Sequence, residues 1–218
     1  MDPAERLATL DALQQEAAGC TRCRLAEGRT QVVFGVGDPN ADLMFVGEAP
    51  GFHEDKQGYP FVGQAGKLLD KLLAGIGLER ADVYIANVIK CRPPGNRDPV
   101  PDEIETCEPY LFRQIELIEP RVIATLGNFA TKLLSGKQLG ITRVHGQEQP
   151  VTLGGRHALL YPLYHPAAAL YTPRMLTVLE EDFARLPGLL DLEPLEPAEP
   201  EPEPELAAAA PAEQLGLF

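Results

Sequence analysis

The chain has 218 residues, a formal net charge of −13 and 44% hydrophobic residues, which is typical of a globular protein with one sizeable core. No apolar run approaches the ~20 residues that a helix needs to cross a bilayer, and the charged N-terminal segment lacks the apolar stretch of a signal peptide. We therefore expect a cytoplasmic protein without a membrane anchor, and the acidic balance argues against a generally basic surface that coats DNA.

Strand-like and helix-like segments alternate along the chain. The first segment predicts an amphipathic helix with Leu7, Leu10 and Leu13 on one face. Strands are predicted at 41–48, 82–90, 120–127 and 157–165. Helices are predicted at 63–77, 101–118 and 128–136, and further helices follow the last strand to about residue 186. The stretch "VTLGGRHALL" predicts a hairpin onto the last strand. This order predicts an α/β fold with a mainly parallel sheet and helices on both of its faces.

Polar and glycine-rich segments follow all four predicted strands: "GEAPG", "NVIKCRPPGNR", "LGN" and "YHPAAAL". Because ligands of such folds bind beyond the carboxyl ends of the strands, this edge is the predicted site. The segment 47–66 lacks the G-x4-G-K-[ST] pattern of a phosphate loop, which disfavours nucleoside triphosphates. Taken alone, it is equally well explained as a glycine-rich loop with solvated acids.

Four cysteines form a C-x2-C pair, Cys20 and Cys23, and a wider pair, Cys91 and Cys107. Disulfides are disfavoured without a signal peptide, and buried thiols without a role are the second simple explanation. A metal site is favoured over both. The irregular spacing suits a four-thiolate iron–sulfur cluster at least as well as zinc, and spacing alone does not choose between them.

These motifs, in this order, resemble the family 4 uracil-DNA glycosylases, which are iron–sulfur enzymes of the uracil-DNA glycosylase superfamily. The resemblance covers residues 20 to about 185 and rests on the combination, since no single motif is specific. It implies a three-layer α/β/α sandwich with a central, mainly parallel four-stranded sheet. It also implies a domain at 1–186 that hydrolyses the N-glycosidic bond of uracil in DNA, with a [4Fe–4S] cluster on Cys20, Cys23, Cys91 and Cys107.

The resemblance implies a pocket for a uracil that has been flipped out of the DNA stack. Phe61 matches the family's stacking phenylalanine, for which a core aromatic beside a turn is the alternative. Asn87 matches the residue whose amide accepts from uracil N3–H and donates to O4, which separates uracil from cytosine. An asparagine that merely ends a strand is the alternative there. Gly47 and Ala49 of "GEAPG" complete the predicted pocket.

Three residues carry the implied catalysis. His165 matches the histidine that stabilises negative charge on uracil O2, and a neutral imidazole suffices because a donor is what is needed. Backbone N–H groups at the start of the following helix would favour the same anion. A carboxylate must orient the attacking water, yet Ala49 stands where family 1 relatives have an aspartate. We expect Glu48 to hold the water, with Glu54 as the second candidate.

DNA contacts are predicted at two places, with chance surface charge as the alternative. The loop "KCRPPGNR" offers Lys90, Arg92 and Arg97 to phosphates. After His165, either Leu170 or Tyr171 is expected to fill the space left by the flipped base, with Arg174 on the backbone. A branch of relatives that traps uracil through a histidine in an inserted loop does not fit, because "CRPPGNRDPVP" has neither a histidine nor an insertion.

Residues 187–218 hold eight acidic residues and no Lys or Arg, which leaves a formal charge of −5 for residues 1–186. Repeated Glu-Pro predicts an extended, mobile tail. Its end resembles a sliding-clamp binding motif of bacteria, with Gln214, Leu215, Leu217 and Phe218 as the binding residues. A frayed terminus is the alternative.

Two other functions compete with that of a turning-over, monomeric glycosylase. One is a non-catalytic iron–sulfur protein that binds or senses nucleic acid, and the other is a zinc-dependent phosphotransferase or esterase. Release of uracil from an oligonucleotide separates the first from the enzyme, and visible absorption by the purified protein counts against the second.

Overall fold

The computed structural model describes residues 1–193, in which a central sheet is covered by helices on both faces. Its strands are β1 (Val36–Gly37), β2 (Leu43–Gly47), β3 (Tyr84–Asn87), β4 (Val122–Leu126), β5 (Gln149–Leu153) and β6 (Arg156–Leu163). Its helices are α1 (Pro3–Ala18), α2 (Leu25–Gly28), α3 (Phe52–Gln57), α4 (Gln64–Gly75), α5 (Pro101–Ile118), α6 (Asn128–Ser135), α7 (Ile141–Val144), α8 (Pro166–Ala169), α9 (Pro173–Ala184) and α10 (Leu186–Leu190). Short 3-10 turns lie at Arg80–Asp82 and Pro94–Asn96. Within this part of the chain, no helix has the length and apolar character to cross a membrane.

The sheet has six strands in the order β1-β3-β2-β4-β6-β5, so the prediction of four strands is wrong in number. The four predicted strands form its parallel centre, β3-β2-β4-β6. The two additional strands lie at the edges and are antiparallel to their neighbours. One of them, β5, is the predicted hairpin partner of β6. Its turn is Gly154-Gly155, and both glycines have the positive φ that a tight hairpin turn requires.

Alternate residues of the central strands point to opposite faces, which produces two apolar cores. On one face, Met44 and Val46 of β2 pack with α1, α5 and α6. On the other, Leu43 and Phe45 pack with α4, α9 and α10. The central strands are buried on both faces, which explains why their sequences are continuous apolar runs. The three-layer α/β/α arrangement is as predicted.

Two details at the ends of the domain differ from expectation. Leu10 is buried in the first helix, but Leu7 is exposed, so the apolar face of α1 is narrower than the leucine spacing suggests. At the other end, the predicted domain boundary at 186 falls at the start of α10, whose Leu186 and Leu189 are buried in the second core. The folded domain therefore extends at least to residue 190. The predicted clamp-binding residues Gln214, Leu215, Leu217 and Phe218 lie outside the described residues.

The strand order reverses at β2: the chain moves from β2 outward to β3, and then returns to place β4 on the other side of β2. At such a switch point the loops leave neighbouring strands in opposite directions and open a crevice at the carboxyl ends. The segments after β2, β3, β4 and β6 meet at this edge, as the sequence predicted.

Candidate active site and cysteine cavity

A cavity with an empty volume of about 1390 Å³, partly open to solvent, lies at this edge. Its lining residues come from the segments after β2, β3 and β6 and from the start of α4. They include Glu48, Ala49, Pro50, Gly51, Glu54, Phe61, Gln64, Asn87, Asn96, Arg97, Asp98 and His165. Six of the seven predicted catalytic and uracil-binding residues line the cavity. The seventh, Gly47, lies directly against two of them, Asn87 and Phe61.

His165 is held at the end of β6 as the residue that begins α8, where Pro166 occupies the first helical position. Burial lowers the pKa of its imidazole to about 4, although the charge of Glu54 opposes the shift. The ring is therefore neutral at pH 7. Its Nδ1 accepts a hydrogen bond from the Ala167 backbone N–H at 3.1 Å, so the proton of the neutral ring is on Nε2. Nε2–H is thus available as a donor. The Ala167 N–H, which the sequence analysis expected to face the anion, is instead bound to Nδ1 and fixes this tautomer.

Phe61 and Asn87 come together over Gly47. The ring of Phe61 is buried and lies against the His165 ring, with centroids 5.5 Å apart and planes 26° apart. A Cβ on Gly47 would lie 2.4 Å from Asn87 Oδ1 and 2.8 Å from Phe61 Cζ, so only glycine leaves both side chains in place. The glycine of "GEAPG" therefore lets an aromatic ring and an amide meet at the floor of the cavity.

Glu48 follows Gly47 directly and lies in the crevice between β2 and β4, where it lines this cavity and an adjoining one. Burial raises the pKa of its carboxyl, and the charge of Asp98 adds to the shift. Asp98 belongs to the loop after β3, and sequence reasoning missed it. The signal was present, because this loop ends at the same sheet edge as the predicted site.

The carboxylate of Glu54 is hydrogen-bonded to the backbone. Its Oε1 accepts hydrogen bonds from Val62 N at 3.0 Å and Gly63 N at 3.1 Å, which holds the turn before α4. Two accepted N–H bonds leave this oxygen with little capacity to orient a water. Of the two predicted carboxylates, the geometry favours Glu48 for that role.

The four cysteines line one compact cavity with an empty volume of about 310 Å³. Cys20 and Cys23 lie between α1 and α2, Cys91 follows β3, and Cys107 lies in the second turn of α5. Three of the sulfurs accept N–H hydrogen bonds: Cys20 from Arg22 Nε, Cys91 from Arg29 Nη1 and Cys107 from the Lys90 backbone, at 3.3 to 3.4 Å. Four thiols thus converge from three separate segments.

The four sulfurs do not surround a single metal centre in the described part of the chain. Across residues 1–193, no three Cys, His, Asp or Glu side chains are close enough together to hold one metal ion. A tetrahedral zinc site would need sulfurs at ~2.3 Å from one centre. Burial raises the pKa of Cys91 to about 11 and also raises that of Cys107, so these thiols need a strong cationic partner to become thiolate ligands.

Comparison with known proteins identifies the family of this chain. The family model of the uracil DNA glycosylase superfamily matches residues 34–186. The type-4 uracil-DNA glycosylase of Sulfurisphaera tokodaii is 49% identical over 183 residues, which is 82% of this chain and 83% of the relative. The chain belongs to the type-4 uracil-DNA glycosylases. The resemblance seen in the motifs is confirmed.

Two further type-4 uracil-DNA glycosylases support the assignment. That of Archaeoglobus fulgidus is 47% identical over 82% of this chain and 92% of its own length. That of Thermotoga maritima is 45% identical over 74% of this chain and 83% of its own length. A type-5 uracil-DNA glycosylase from Thermus thermophilus is 33% identical over 58% of the chain. The similarity is thus greater to these type-4 glycosylases than to this type-5 relative.

The prediction that Lys90 of this type-4 glycosylase contacts DNA is wrong. The residue is 1% exposed, and its Nζ donates to the Asn87 backbone carbonyl at 2.8 Å and to Gln114 Oε1 at 2.5 Å. A fully buried ammonium has no access to a phosphate. Its side chain instead ties the end of β3, which carries Asn87, to α5.

The other two basic residues of the loop differ in their freedom. Arg97 lines the mouth of the cavity, but its guanidinium is paired in two hydrogen bonds with the buried carboxylate of Glu103, at 2.6 and 2.9 Å. Arg92 lies 5.1 Å from the ring centroid of Phe52, and its Nε donates to Asn96 at 2.6 Å. The remaining N–H groups of Arg92 face no carboxylate among the ion pairs of the described residues.

The predicted DNA contacts beyond His165 are exposed to solvent. Leu170 is 39% exposed and Tyr171 is 88% exposed, at the turn between α8 and α9, and Arg174 is exposed in the first turn of α9. Phe52, which no sequence motif indicated, is an exposed aromatic that lines the cavity. Exposed apolar side chains are therefore present both at the cavity, as Phe52, and in the segment after α8, as Leu170 and Tyr171.

Proposed function

We propose that this enzyme flips uracil out of DNA, hydrolyses its N-glycosidic bond and leaves an abasic site, as a step of DNA repair. The observation that carries the proposal is the convergence of a neutral histidine, an aromatic ring and an amide on one cavity in a type-4 uracil-DNA glycosylase. A protein that only binds or senses nucleic acid would have no need of a buried donor at this point. A zinc-dependent phosphotransferase or esterase is not favoured either.

Each group of the pocket has a role in this reaction. Phe61 stacks on the flipped base, and Asn87 reads the N3–H and O4 edge that distinguishes uracil from cytosine. As the glycosidic bond breaks, the electron pair moves onto the uracil ring and negative charge develops at O2. The Nε2–H of His165 donates to that oxygen. Once the flipped base fills the cavity and displaces its water, such a donor is worth far more than in solvent.

Glu48 is the carboxylate that we assign to the water. The cleaved sugar is electron-poor at C1′, so a water held by an ionised carboxylate adds there, and its proton passes to the carboxylate or to solvent. The negative charge of Glu48 also stabilises the cationic sugar. This role requires the ionised form, which its raised pKa confines to less acidic solutions.

DNA contacts are assigned to exposed residues of the loop after β3 and of the segment after His165. Arg92 is oriented by Phe52 and Asn96 and is the phosphate contact that the geometry favours in the loop after β3. Leu170 or Tyr171 fills the vacated position in the stack, and Arg174 contacts the backbone beside it. Arg97, paired with Glu103, is a weaker candidate. A cytoplasmic location and a monomeric state remain predictions from the sequence.

We also propose a [4Fe–4S] cluster on Cys20, Cys23, Cys91 and Cys107. The donor set fits, because four sulfurs from three segments line one cavity and three of them accept N–H bonds of the kind that stabilise bound thiolates. With four cysteine ligands the group has no open position, so its contribution is structural. These ligands would tie the segment after α1 to the end of β3 and to α5.

The cluster is tested by metal analysis. Anaerobically purified protein should contain ~4 iron and ~4 sulfide per chain and absorb in the visible range. Cys91→Ser should lose the iron, lower the thermal midpoint and bleach the colour, because this most buried thiol has no substitute nearby. Zinc in place of iron, or full iron content in Cys91→Ser, would contradict the assignment.

The clamp proposal concerns the last five residues and rests on their sequence. A Gln-Leu-x-Leu-Phe segment on an acidic tether would raise the local concentration of the enzyme at replicating DNA. Deletion of residues 214–218 should abolish binding to a bacterial sliding clamp in a pull-down or calorimetric titration. Activity on short oligonucleotides should be unchanged. An unaltered clamp affinity would refute the motif.

The function itself is tested by release of uracil from a synthetic oligonucleotide that contains a single dU. Wild-type protein should yield free uracil and an alkali-labile abasic site, and an otherwise identical oligonucleotide with thymine should be left intact. Absence of uracil release at every salt concentration and temperature tried would reject the enzyme assignment.

A further inference from the structure

Phe61 holds an unusual backbone conformation. Its φ is +54°, in the left-handed region that bulky side chains rarely adopt. Helix α4 also packs directly on it: a Cβ on Gly66 would lie 1.7 Å from the Phe61 carbonyl oxygen, so no side chain fits at that position. Something in the surrounding structure must hold the residue in place, because this conformation is disfavoured on its own.

Two charged side chains hold the turn from opposite sides. The Arg80 guanidinium donates from Nη1 to the Pro60 carbonyl at 3.1 Å and from Nη2 to the Phe61 carbonyl. On the other side, Glu54 Oε1 accepts from the N–H groups of Val62 and Gly63. Four consecutive residues, 60–63, are thus bound through their main chain by one cation and one anion.

Asp70 orients the arginine. Its Oδ1 accepts from Arg80 Nε at 2.5 Å, which leaves both terminal nitrogens of the guanidinium aimed at the two carbonyls. The planar fork of arginine matches this arrangement, since it offers donors at fixed angles to three acceptors at once. A lysine ammonium in the same place is a point charge without that geometry.

Arg80 is not in the uracil cavity. It lines a separate cavity on the far side of Phe61, together with Tyr59, Val62 and Asp70, and it is absent from the residues around His165 and Asn87. Any effect of Arg80 on uracil must therefore pass through Phe61. The exposed neighbour Tyr59 and the partial burial of Arg80 place this contact just beneath the surface.

We propose that Arg80, oriented by Asp70, is a positioning residue that holds the stacking ring of Phe61 in the geometry that binds uracil. The inference rests on the stacking role proposed for Phe61. Arg80 touches neither substrate nor reacting atoms, so it determines how well the base is held rather than how the bond is broken. Its loss should weaken binding of the uracil base while contacts to the DNA backbone are retained.

The test compares Arg80→Met, Arg80→Lys and Asp70→Asn with Arg121→Met as the matched control. Arg121 also donates to a main-chain carbonyl, that of Leu192, but it precedes β4 at the opposite end of the sheet. For each variant, three quantities are measured: the inhibition constant of free uracil, the affinity for uracil-free DNA, and the thermal midpoint. Arg80→Met should raise the uracil inhibition constant about 10- to 100-fold, the range expected when a substrate-holding group is displaced.

The other two variants should raise the uracil inhibition constant less than Arg80→Met does. Arg80→Lys should fall between wild type and Arg80→Met, and Asp70→Asn should have a smaller effect because the arginine stays in place. Affinity for uracil-free DNA should be unchanged in all of them. If Arg80→Met leaves the uracil inhibition constant unchanged, or if Arg121→Met raises it equally, the proposal is overturned and the arginine has only a structural role.

A spectroscopic readout is available because the chain contains no tryptophan. Phe61→Trp introduces a single reporter at the ring itself, and its fluorescence anisotropy should fall when Arg80→Met is added. An unchanged anisotropy would also overturn the proposal. Phe61→Leu tests the stacking role of Phe61 separately from the positioning role of Arg80. If Phe61→Leu does not weaken uracil binding, the stacking role of Phe61 is refuted. If Phe61→Leu weakens uracil binding and Arg80→Met does not, only the role of Arg80 is refuted.

Discussion

Replacing His165 with alanine should slow uracil release by about 10²- to 10³-fold, because removal of one donor to a developing oxyanion typically costs this much. The substrate should still bind, since Phe61 and Asn87 remain. The fold should also persist, because His165 ends β6 and its only side-chain hydrogen bond in the described structure is to the next turn. Single-turnover kinetics on a dU oligonucleotide measure the chemical step directly.

The matched control is His157→Ala. His157 lies at the start of the same strand, where its Nδ1 meets the Thr152 hydroxyl at 3.0 Å. Both variants remove an imidazole from β6, but only one end of the strand lies at the cavity. A His165→Ala enzyme with a rate near wild type, or an equal loss in His157→Ala, would show that the imidazole is not the donor.

The pH profile follows from the same geometry. Burial lowers the pKa of His165 to about 4, so the imidazole stays neutral as the pH falls from 8 towards 5. The pKa of Glu48 is raised instead, so acid protonates this carboxylate while His165 is still neutral. Activity should therefore fall in acid through the pKa of Glu48, and Glu48→Gln should remove this acid limb from an already slow enzyme. An acid limb that persists in Glu48→Gln would point to another group.

Replacing Gly47 with alanine is the second change with a large expected effect. The new methyl group would lie 2.4 Å from Asn87 Oδ1 and 2.8 Å from Phe61 Cζ, so both must move. Neither moves freely, because Asn87 is buried at the end of β3 and the backbone of Phe61 is held by Arg80. We expect a loss of about 100-fold in kcat/KM and a decrease of about 1–3 kcal/mol in the free energy of unfolding.

Gly75→Ala controls for the substitution itself. Gly75 lies in the last turn of α4, and a Cβ there meets no atom within 4 Å. Alanine is the better helix former, so this variant should be as stable as wild type or slightly more stable, with full activity. Urea denaturation gives the stability of both variants. Wild-type activity in Gly47→Ala would mean that the pocket floor is more adaptable than the distances indicate.

Much of the fold was predictable because the signals are local. Apolar runs mark the four central strands, and Pro101 with the acids that follow marks the start of α5. The two edge strands were harder to recognise. β1 has only two residues, Val36–Gly37, which is too short for a periodic pattern, and it exists because its partner β3 offers free backbone groups.

The sequence predicted which residues meet at the cavity, but it did not predict the contacts that each side chain makes. Strand ends and glycine-rich turns placed Glu48, Asn87 and His165 at one edge, because the carboxyl ends of parallel strands must meet. Lys90 shows the limit of such reasoning. It stands among loop residues, just before the candidate DNA contacts Arg92 and Arg97, yet its side chain turns inward to the Asn87 carbonyl and Gln114. Residue type alone does not reveal the direction of a side chain.

Glu54 and Arg80 also have contacts that the sequence does not reveal. Glu54 was the second candidate for the water because it lies near "GEAPG", and its Oε1 binds the main chain of residues 62–63, a contact that no motif indicates. Arg80 had no motif at all, although it holds the carbonyls of Pro60 and Phe61. Contacts between a side chain and a distant main chain leave no trace in spacing or composition.

The order of residues along this chain was enough to specify its α/β class, four cysteines as candidate ligands and the sheet edge at which the proposed site lies, since these depend on periodicity and on which segments follow strands. The packing of α4, α5 and the turn at 60–63 was needed to assign the individual roles: His165 as a neutral Nε2–H donor, Lys90 as a buried support and Glu54 as a backbone anchor. Burial and hydrogen-bond partners set these roles, and both are properties of neighbours that are distant in sequence.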